Sequence, residues 1–143
     1  KGTHGLIAYV TVGADDITSA KLFYSSFLPA LGYILREENN GDLSYVLPVK
    51  PDLTPSLPDL YVKAPFDGLP ASTGNGSMVA FQMSSQKEVR DLHAAALEAG
   101  GLDEGKPGNR ISYGPNFYVG YLRDPQRNKI ALFSSNAGDL DEP

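Results

Sequence analysis

The chain of 143 residues contains no cysteine, which excludes disulfides, thiolate metal sites and a cysteine nucleophile. That absence fits a reducing interior, and the cytoplasm is the expected location. Basic runs are also missing. With a formal net charge of −5 and a pI near 4.9, the chain is not expected to bind nucleic acid, because phosphate binding draws on clustered Lys and Arg. No apolar segment approaches the ~20 residues that span a bilayer, and the opening Lys1-Gly2-Thr3-His4-Gly5 lacks the apolar core of a signal peptide, so no membrane partner is expected. The chain opens on Lys1 rather than Met, which leaves processing or a preparation remnant open over residues 1–5 and takes weight from His4. No Gly-x-Ser-x-Gly elbow is present. Gly74-Asn75-Gly76 lacks the Lys-Ser/Thr of a P-loop and precedes a strand, so phosphate cradling is not expected.

What is there suffices for one domain, because a chain of this size buries roughly two thirds of its unfolded surface. Ile7 to Val12 alternates as a strand, with Ala8, Val10 and Val12 on the face expected to be buried and Ile7, Tyr9 and Thr11 on the other. Asp15 and Asp16 supply N-cap oxygens for a helix whose stripe runs Ile17, Ala20, Tyr24, Phe27, Leu28 and Leu31 and which Gly32 ends. Short extended runs follow at Tyr33 to Arg36, Leu43 to Val49 and Leu60 to Lys63, between turns and prolines that exclude a second helix there. Ala64 to Gly76 is a long loop, either functional or a linker.

Ser77 to Met83 alternates again, with Val79, Phe81 and Met83 opposite Met78, Ala80 and Gln82. Ser85 and Glu88 form a capping-box signature ahead of the stripe Val89, Leu92, Ala96 and Leu97, and Gly100-Gly101 closes that helix. A Gly- and Pro-containing segment runs to Pro115, then Tyr118 to Phe133 reads as a β-hairpin. Its turn is Asp124-Pro125-Gln126-Arg127-Asn128, where the Asp124 carboxylate can accept from the turn backbone. The end of the chain is polar and acidic. Both halves thus follow one plan, and they superimpose at an offset of 69 residues that places Tyr9 on Met78, Val12 on Phe81, Gly32 on Gly101 and Val62 on Ala131. The expected fold is α+β, two tandem βαβββ modules forming a curved mixed sheet around a cleft, helices outside. Module one covers about 6–63, the linker about 64–76, module two about 77–134 and the tail 135–143.

Several stretches together carry a family resemblance. They are Ala8 to Gly32 with Phe23-Tyr24 and Leu31-Gly32-Tyr33, the run Gly74 to Phe81, the helix end Leu97 to Gly101, and Asp124-Pro125 with Asn128-Lys129-Ile130. On these the chain resembles the glyoxalase, bleomycin-resistance and extradiol-dioxygenase (vicinal oxygen chelate) superfamily over nearly its whole length. Lys63 to Gly68, with Asp103-Glu104-Gly105 and Phe117-Tyr118, is similar to an uncharacterised glyoxalase-like branch. The resemblance implies a homodimer. In metal-using members a divalent ion is held by His or Gln on the first strand and a carboxylate on the last strand of each module. The positions here are Tyr9, Val62, Met78 and Ala131, with Val62 fixed to within one residue, and none supplies the oxygen or nitrogen donors such an ion needs. No cofactor is therefore expected, with a divalent metal as the alternative. His93 reads as a core histidine with a satisfied nitrogen.

The expected function is binding of a small, mostly apolar or aromatic molecule in the cleft without a metal. Expected ligand-binding residues are Tyr9, Thr11, Met78, Ala80, Gln82, Tyr121, Arg123, Ala131 and Phe133, with Phe66, Asp67 and Asn75 as a lid. Lys63 is expected on the helix side by parity with Leu132. Which face of residues 117–123 lines the cleft stays open, as does catalysis. Two alternatives stand: a metal-dependent lyase, similar to lactoylglutathione lyase, or a dioxygenase with displaced ligands, and an interaction module whose cleft Tyr9, Met78 and Phe133 plug. The usual family turn has Gly where this chain has Arg127, so Arg127 either adopts a positive φ or the turn differs.

Overall fold

A computed structural model describes residues 5–136. His4 and the acidic tail from residue 137 onward lie outside them. The strands are β1 (Tyr9–Gly13), β2 (Ile34–Glu37), β3 (Leu43–Val46), β4 (Asp59–Lys63), β5 (Val79–Gln82), β6 (Leu102–Asn109), β7 (Tyr118–Arg123) and β8 (Lys129–Ser134). They form two four-stranded mixed sheets of the same plan, ordered β1-β4-β3-β2 and β5-β8-β7-β6, with the first and last strands of each sheet's set parallel and the rest antiparallel. One helix follows the first strand of each, α1 (Ile17–Tyr24) and α2 (Gln86–Glu98).

Both helices begin where local chemistry dictates. Asp16 caps α1 by accepting from the Ser19 amide at 3.0 Å, and these bonds hold its carboxyl below the usual aspartate range. Asp15 instead ties the region together, accepting from the Ala71 amide at 2.9 Å while its own amide donates to Gln126 at 2.8 Å. Ser85 caps α2 through the Glu88 amide, but the Glu88 carboxylate reaches Ser84 rather than closing the box on Ser85. Helix α1 is shorter than its apolar stripe suggests. It stops at Tyr24, and the stripe continues through a turn into a 3₁₀ segment, Pro29–Leu31, because Pro29 has no amide to donate into a continuing helix. Gly32 then takes φ 97°.

Strand β6 was not legible as a strand in the Gly- and Pro-containing segment after Gly101. It lies at the sheet edge, where Pro107 forfeits no ladder bond that matters, and its pairing with β7 shifts register twice around Gly105 and Gly108.

The core is continuous across both sheets. Phe23, Tyr24, Phe27 and Leu28 from α1 and its following turn are fully buried, beside Leu122, Ile130 and Leu132 of the second sheet. The Phe81 ring from β5 lies edge-on to Phe27, centroids 5.5 Å apart, and near Tyr33 at 6.4 Å. Gly101 permits the same closeness, since a Cβ there would sit 2.8 Å from the Phe23 ring and 2.9 Å from the Ala96 carbonyl oxygen.

The β7–β8 turn fastens the last hairpin to the first half. Asp124, about 1% exposed, accepts from the Tyr24 hydroxyl at 2.5 Å, from the Asn128 amide at 2.8 Å and from Asn128 Nδ2 at 2.9 Å. Asn128 Nδ2 also donates to the Gly13 carbonyl at 2.9 Å. Burial, and then the adjacent Asp124, push the Tyr24 phenol well above its ordinary value, so it stays a donor.

Within this turn Arg127 takes φ 77°, which settles the alternative left by the sequence. A left-handed conformation costs a residue with a Cβ roughly 1–2 kcal/mol, part of which glycine would return as unfolded-state entropy. Arg127→Gly is therefore expected to stabilise the protein by about 0.5–1 kcal/mol, read as a higher urea midpoint at unchanged slope. A lower midpoint would show that the Arg127 side chain contributes more than its backbone costs.

Candidate ligand-binding site

Each sheet has one face against its helix and one face free of it. On β4, Leu60 and Val62 are buried toward the core, so Tyr61 and Lys63 point to the free face. On β7, Tyr118 meets Arg90 of α2, with their hydroxyl and guanidinium 3.2 Å apart, and a Cβ on Gly120 would strike His93. Val119, Tyr121 and Arg123 consequently take the free face, which answers the question open for 117–123.

Two of the expected placements are corrected by one register fact. Thr11 pairs with Tyr61, and Ala80, its counterpart in the second half, pairs with Ala131. The first and fifth strands match at an offset of 69, but the fourth and eighth match at 70. Val62 is therefore not the counterpart of Ala131; it is fully buried on the helix side, and Tyr61 takes the position, its ring 5.0 Å from that of Tyr9. Lys63, expected on the helix side, stands on the free face, with Asp42 at 3.5 Å. A slip of one residue reverses every side chain of a strand.

The free face of the second sheet carries an apolar hollow of about 210 Å³ between Met78, Ala80, Phe117, Val119, Tyr121, Ala131 and Phe133. Its floor is Val119 and Ala131, each about 1% exposed, and the Phe117 and Phe133 rings stand 4.7 Å apart in its wall. Met78 also borders a polar cavity of about 600 Å³ with Thr73, Asn75, Ser77, Arg123 and Lys129. A third cavity, about 460 Å³, lies on the first sheet between Thr11, Lys63, Phe66 and Ala71. An apolar crevice of about 500 Å³ runs along β5 between Val10, Leu31, Tyr33, Pro58 and Phe81.

Five expected residues, Met78, Ala80, Tyr121, Ala131 and Phe133, thus share one hollow, and Arg123 stands at its polar end. The others separate from them. Thr11 lines the first-sheet cavity, Tyr9 is exposed beside Tyr61, and Gln82 lines the crevice with its amide near the Met83 carbonyl at 3.4 Å. Phe66 is fully exposed at the first-sheet cavity, Asn75 borders the polar one, and Asp67 accepts from the Leu69 amide of its own loop. The expected set omits Phe117, Val119 and Lys129, which the alternation of β7 and β8 would have supplied once Ala131 fixed their parity.

The residues do not fit a divalent metal. The four family positions are now Tyr9, Tyr61, Met78 and Ala131, which offer two phenols, a thioether and a methyl group. Among the described residues no group of three or more His, Cys, Asp or Glu side chains could hold an ion. His93 is 4% exposed on the helix side, its Nε2 3.0 Å from the Tyr121 carbonyl oxygen, a core histidine with its nitrogen engaged.

Two sheets of matching order, each backed by one helix and together presenting a free face lined by paired strands, define an α+β protein built from a repeated βαβββ unit. A glyoxalase/bleomycin resistance protein from Albidiferax ferrireducens has the same fold, with 32% identity over 90% of this chain and 97% of its own and a TM-score of 0.75. A glyoxalase-related enzyme from Fulvimarina pelagi (17% identity, 91% of this chain and 88% of its own, TM-score 0.70) and a glyoxalase/bleomycin resistance protein/dioxygenase family enzyme from Burkholderia phytofirmans (17%, 90% and 98%, TM-score 0.66) share the fold. The chain belongs to the glyoxalase/bleomycin resistance protein/dioxygenase superfamily. The sequence matches no family model and no curated protein.

Proposed function

We propose that the protein binds a small, mostly apolar or aromatic molecule on the free face of its second sheet and does so without a metal. The observation that carries this is the Ala80–Ala131 pair, which lies at the centre of the parallel β5–β8 ladder and leaves an aromatic-walled hollow where larger side chains would fill it. Met78 and Phe133 border that hollow rather than plugging it, which speaks against a ligand-free interaction module. The same reading makes the protein a cytoplasmic homodimer. Its support is the cysteine-free sequence and the exposure of Leu6, Ile7 and Tyr9 at one sheet edge, and sedimentation at 15.3 kDa would remove the dimer.

The test uses Ala80→Phe. Ala80 is exposed, so an aromatic ring there is expected to leave the fold intact while occupying the hollow. Displacement of a fluorescent apolar probe should weaken at least tenfold in the variant (about 1.4 kcal/mol). Equal binding by both proteins would place the probe elsewhere. One tightly held transition metal per chain in purified protein, with an activity lost on its removal, would overturn the metal-free reading.

A further inference from the structure

The sequence is acidic overall, yet the free face of the second sheet is not. Arg123 and Lys129 are directly paired across β7 and β8, and both line the cavity that adjoins the hollow at Met78. Lys129 Nζ lies 5.0 Å from the centre of the Tyr121 ring, whose other cationic neighbour is Arg110 at 5.6 Å, fixed by its bond to the Lys106 carbonyl at 2.8 Å. One carboxylate opposes them: Glu104 pairs with Arg123 at 3.0 Å. Lys129 has no ion-pair partner among the described residues. Its closest described side-chain contact is the aromatic wall of the hollow, and the Glu104 carboxylate, held by Arg123, is near enough to feel its charge.

We infer that the ligand of this face is an amphipathic anion, a small aryl or apolar carboxylate whose body fills the hollow and whose carboxylate lies against Lys129 and Arg123. The inference rests on the preceding reading that the hollow is the binding site. Spacing supports it. Lys129 and Ala131 stand on one face of β8 two residues apart, about 7 Å along the strand, which is the length of an aryl carboxylate. The aromatic walls would receive the ring by offset or edge contacts, and the low-dielectric hollow beside the cations would strengthen their pull on the charged end. Glu104 is bonded directly to Arg123 and acts on Lys129 only at longer range, so Lys129 is the cation with room for a direct contact to the ligand's charge.

The experiment compares 2-naphthoate with its neutral isostere 2-naphthamide by calorimetric titration at pH 7, against the wild-type protein, Lys129→Gln, Arg123→Gln and Ala80→Phe. The acid is expected to bind about tenfold tighter than the amide to the wild type, as a charge-assisted bond provides. That advantage should shrink to within twofold in Lys129→Gln, shrink less in Arg123→Gln, and decline as salt rises from about 50 to 500 mM. Thermal unfolding of each variant checks that the fold persists. If the amide binds the wild type as tightly as the acid, the anion inference is overturned and the apolar hollow stands. An acid preference that survives both charge removals overturns the assignment to these residues. If neither probe binds, or both bind equally well to Ala80→Phe, the hollow itself is not the site and the inference falls with it.

Discussion

Asp124→Ala is expected to lower the stability of the protein by about 2–6 kcal/mol, the sum for two buried donors left without an acceptor. Its carboxylate takes three hydrogen bonds in a position that water barely reaches. The substitution leaves the buried Tyr24 hydroxyl without an acceptor and frees the Asn128 amide that shapes the turn. Each orphaned group adds about 1–3 kcal/mol of desolvation that nothing offsets. Asp124→Asn keeps one carbonyl oxygen and should lose less. Tyr24→Phe removes the donor as well as its need, so the double variant Tyr24→Phe, Asp124→Ala should lose less than the two single losses added together. Urea unfolding of the four proteins gives the cycle, and strict additivity would show that the 2.5 Å contact contributes nothing.

The second large effect concerns packing rather than polarity. Phe81→Ala is expected to cost about 3–5 kcal/mol, as for other aromatic side chains truncated in cores. Phe81 is 7% exposed and meets Phe27 and Tyr33, both from the other half of the chain. It also walls the crevice along β5, so truncation would widen an existing void of about 500 Å³ instead of letting neighbours collapse inward. A loss below about 0.5 kcal/mol, within the range of ordinary surface changes, would mean that the halves cohere without the Phe81 contacts.

Much of this fold was legible because its signals are local. Asp16, Ser85 and Asp124 each act within four residues of themselves, so side-chain type and spacing were enough to place two helix starts and a turn. His93 was legible for a similar reason, as one polar group on an apolar helical stripe. The placements that failed depend on chain far from the residue concerned. Val62 and Lys63 were assigned the wrong face because the halves use connections of different length. The first has its long connection between β3 and β4, residues 47–58, and the second has its own before β7, residues 110–117. These differences nearly cancel and leave a single residue, which the sequence offset could not reveal but the pleat amplifies into a reversal of faces. Strand β6 escaped notice because Gly105, Pro107 and Gly108 break the alternation that an edge strand does not need to keep.

The candidate site was legible in part for a related reason. Ala131 and Ala80 announce space, and their parity finds Phe133 and Met78, whereas the face of Tyr121 needed the pairing of β7 with β8. Thr11 and Gln82 share that parity yet lie apart from the hollow, because strand parity gives a face and not a distance.

The bond between Tyr24 and Asp124 spans 100 residues of chain, which gives it a meaning in time. A ribosome delivers Tyr24 a hundred residues before Asp124. Until the final hairpin emerges, the first half carries a phenol with no acceptor and a Gly13 carbonyl with no Asn128. The β7–β8 hairpin is therefore the element that closes this network, and a nascent chain that stalls before residue 124 exposes both groups to whatever folding assistance the cell supplies.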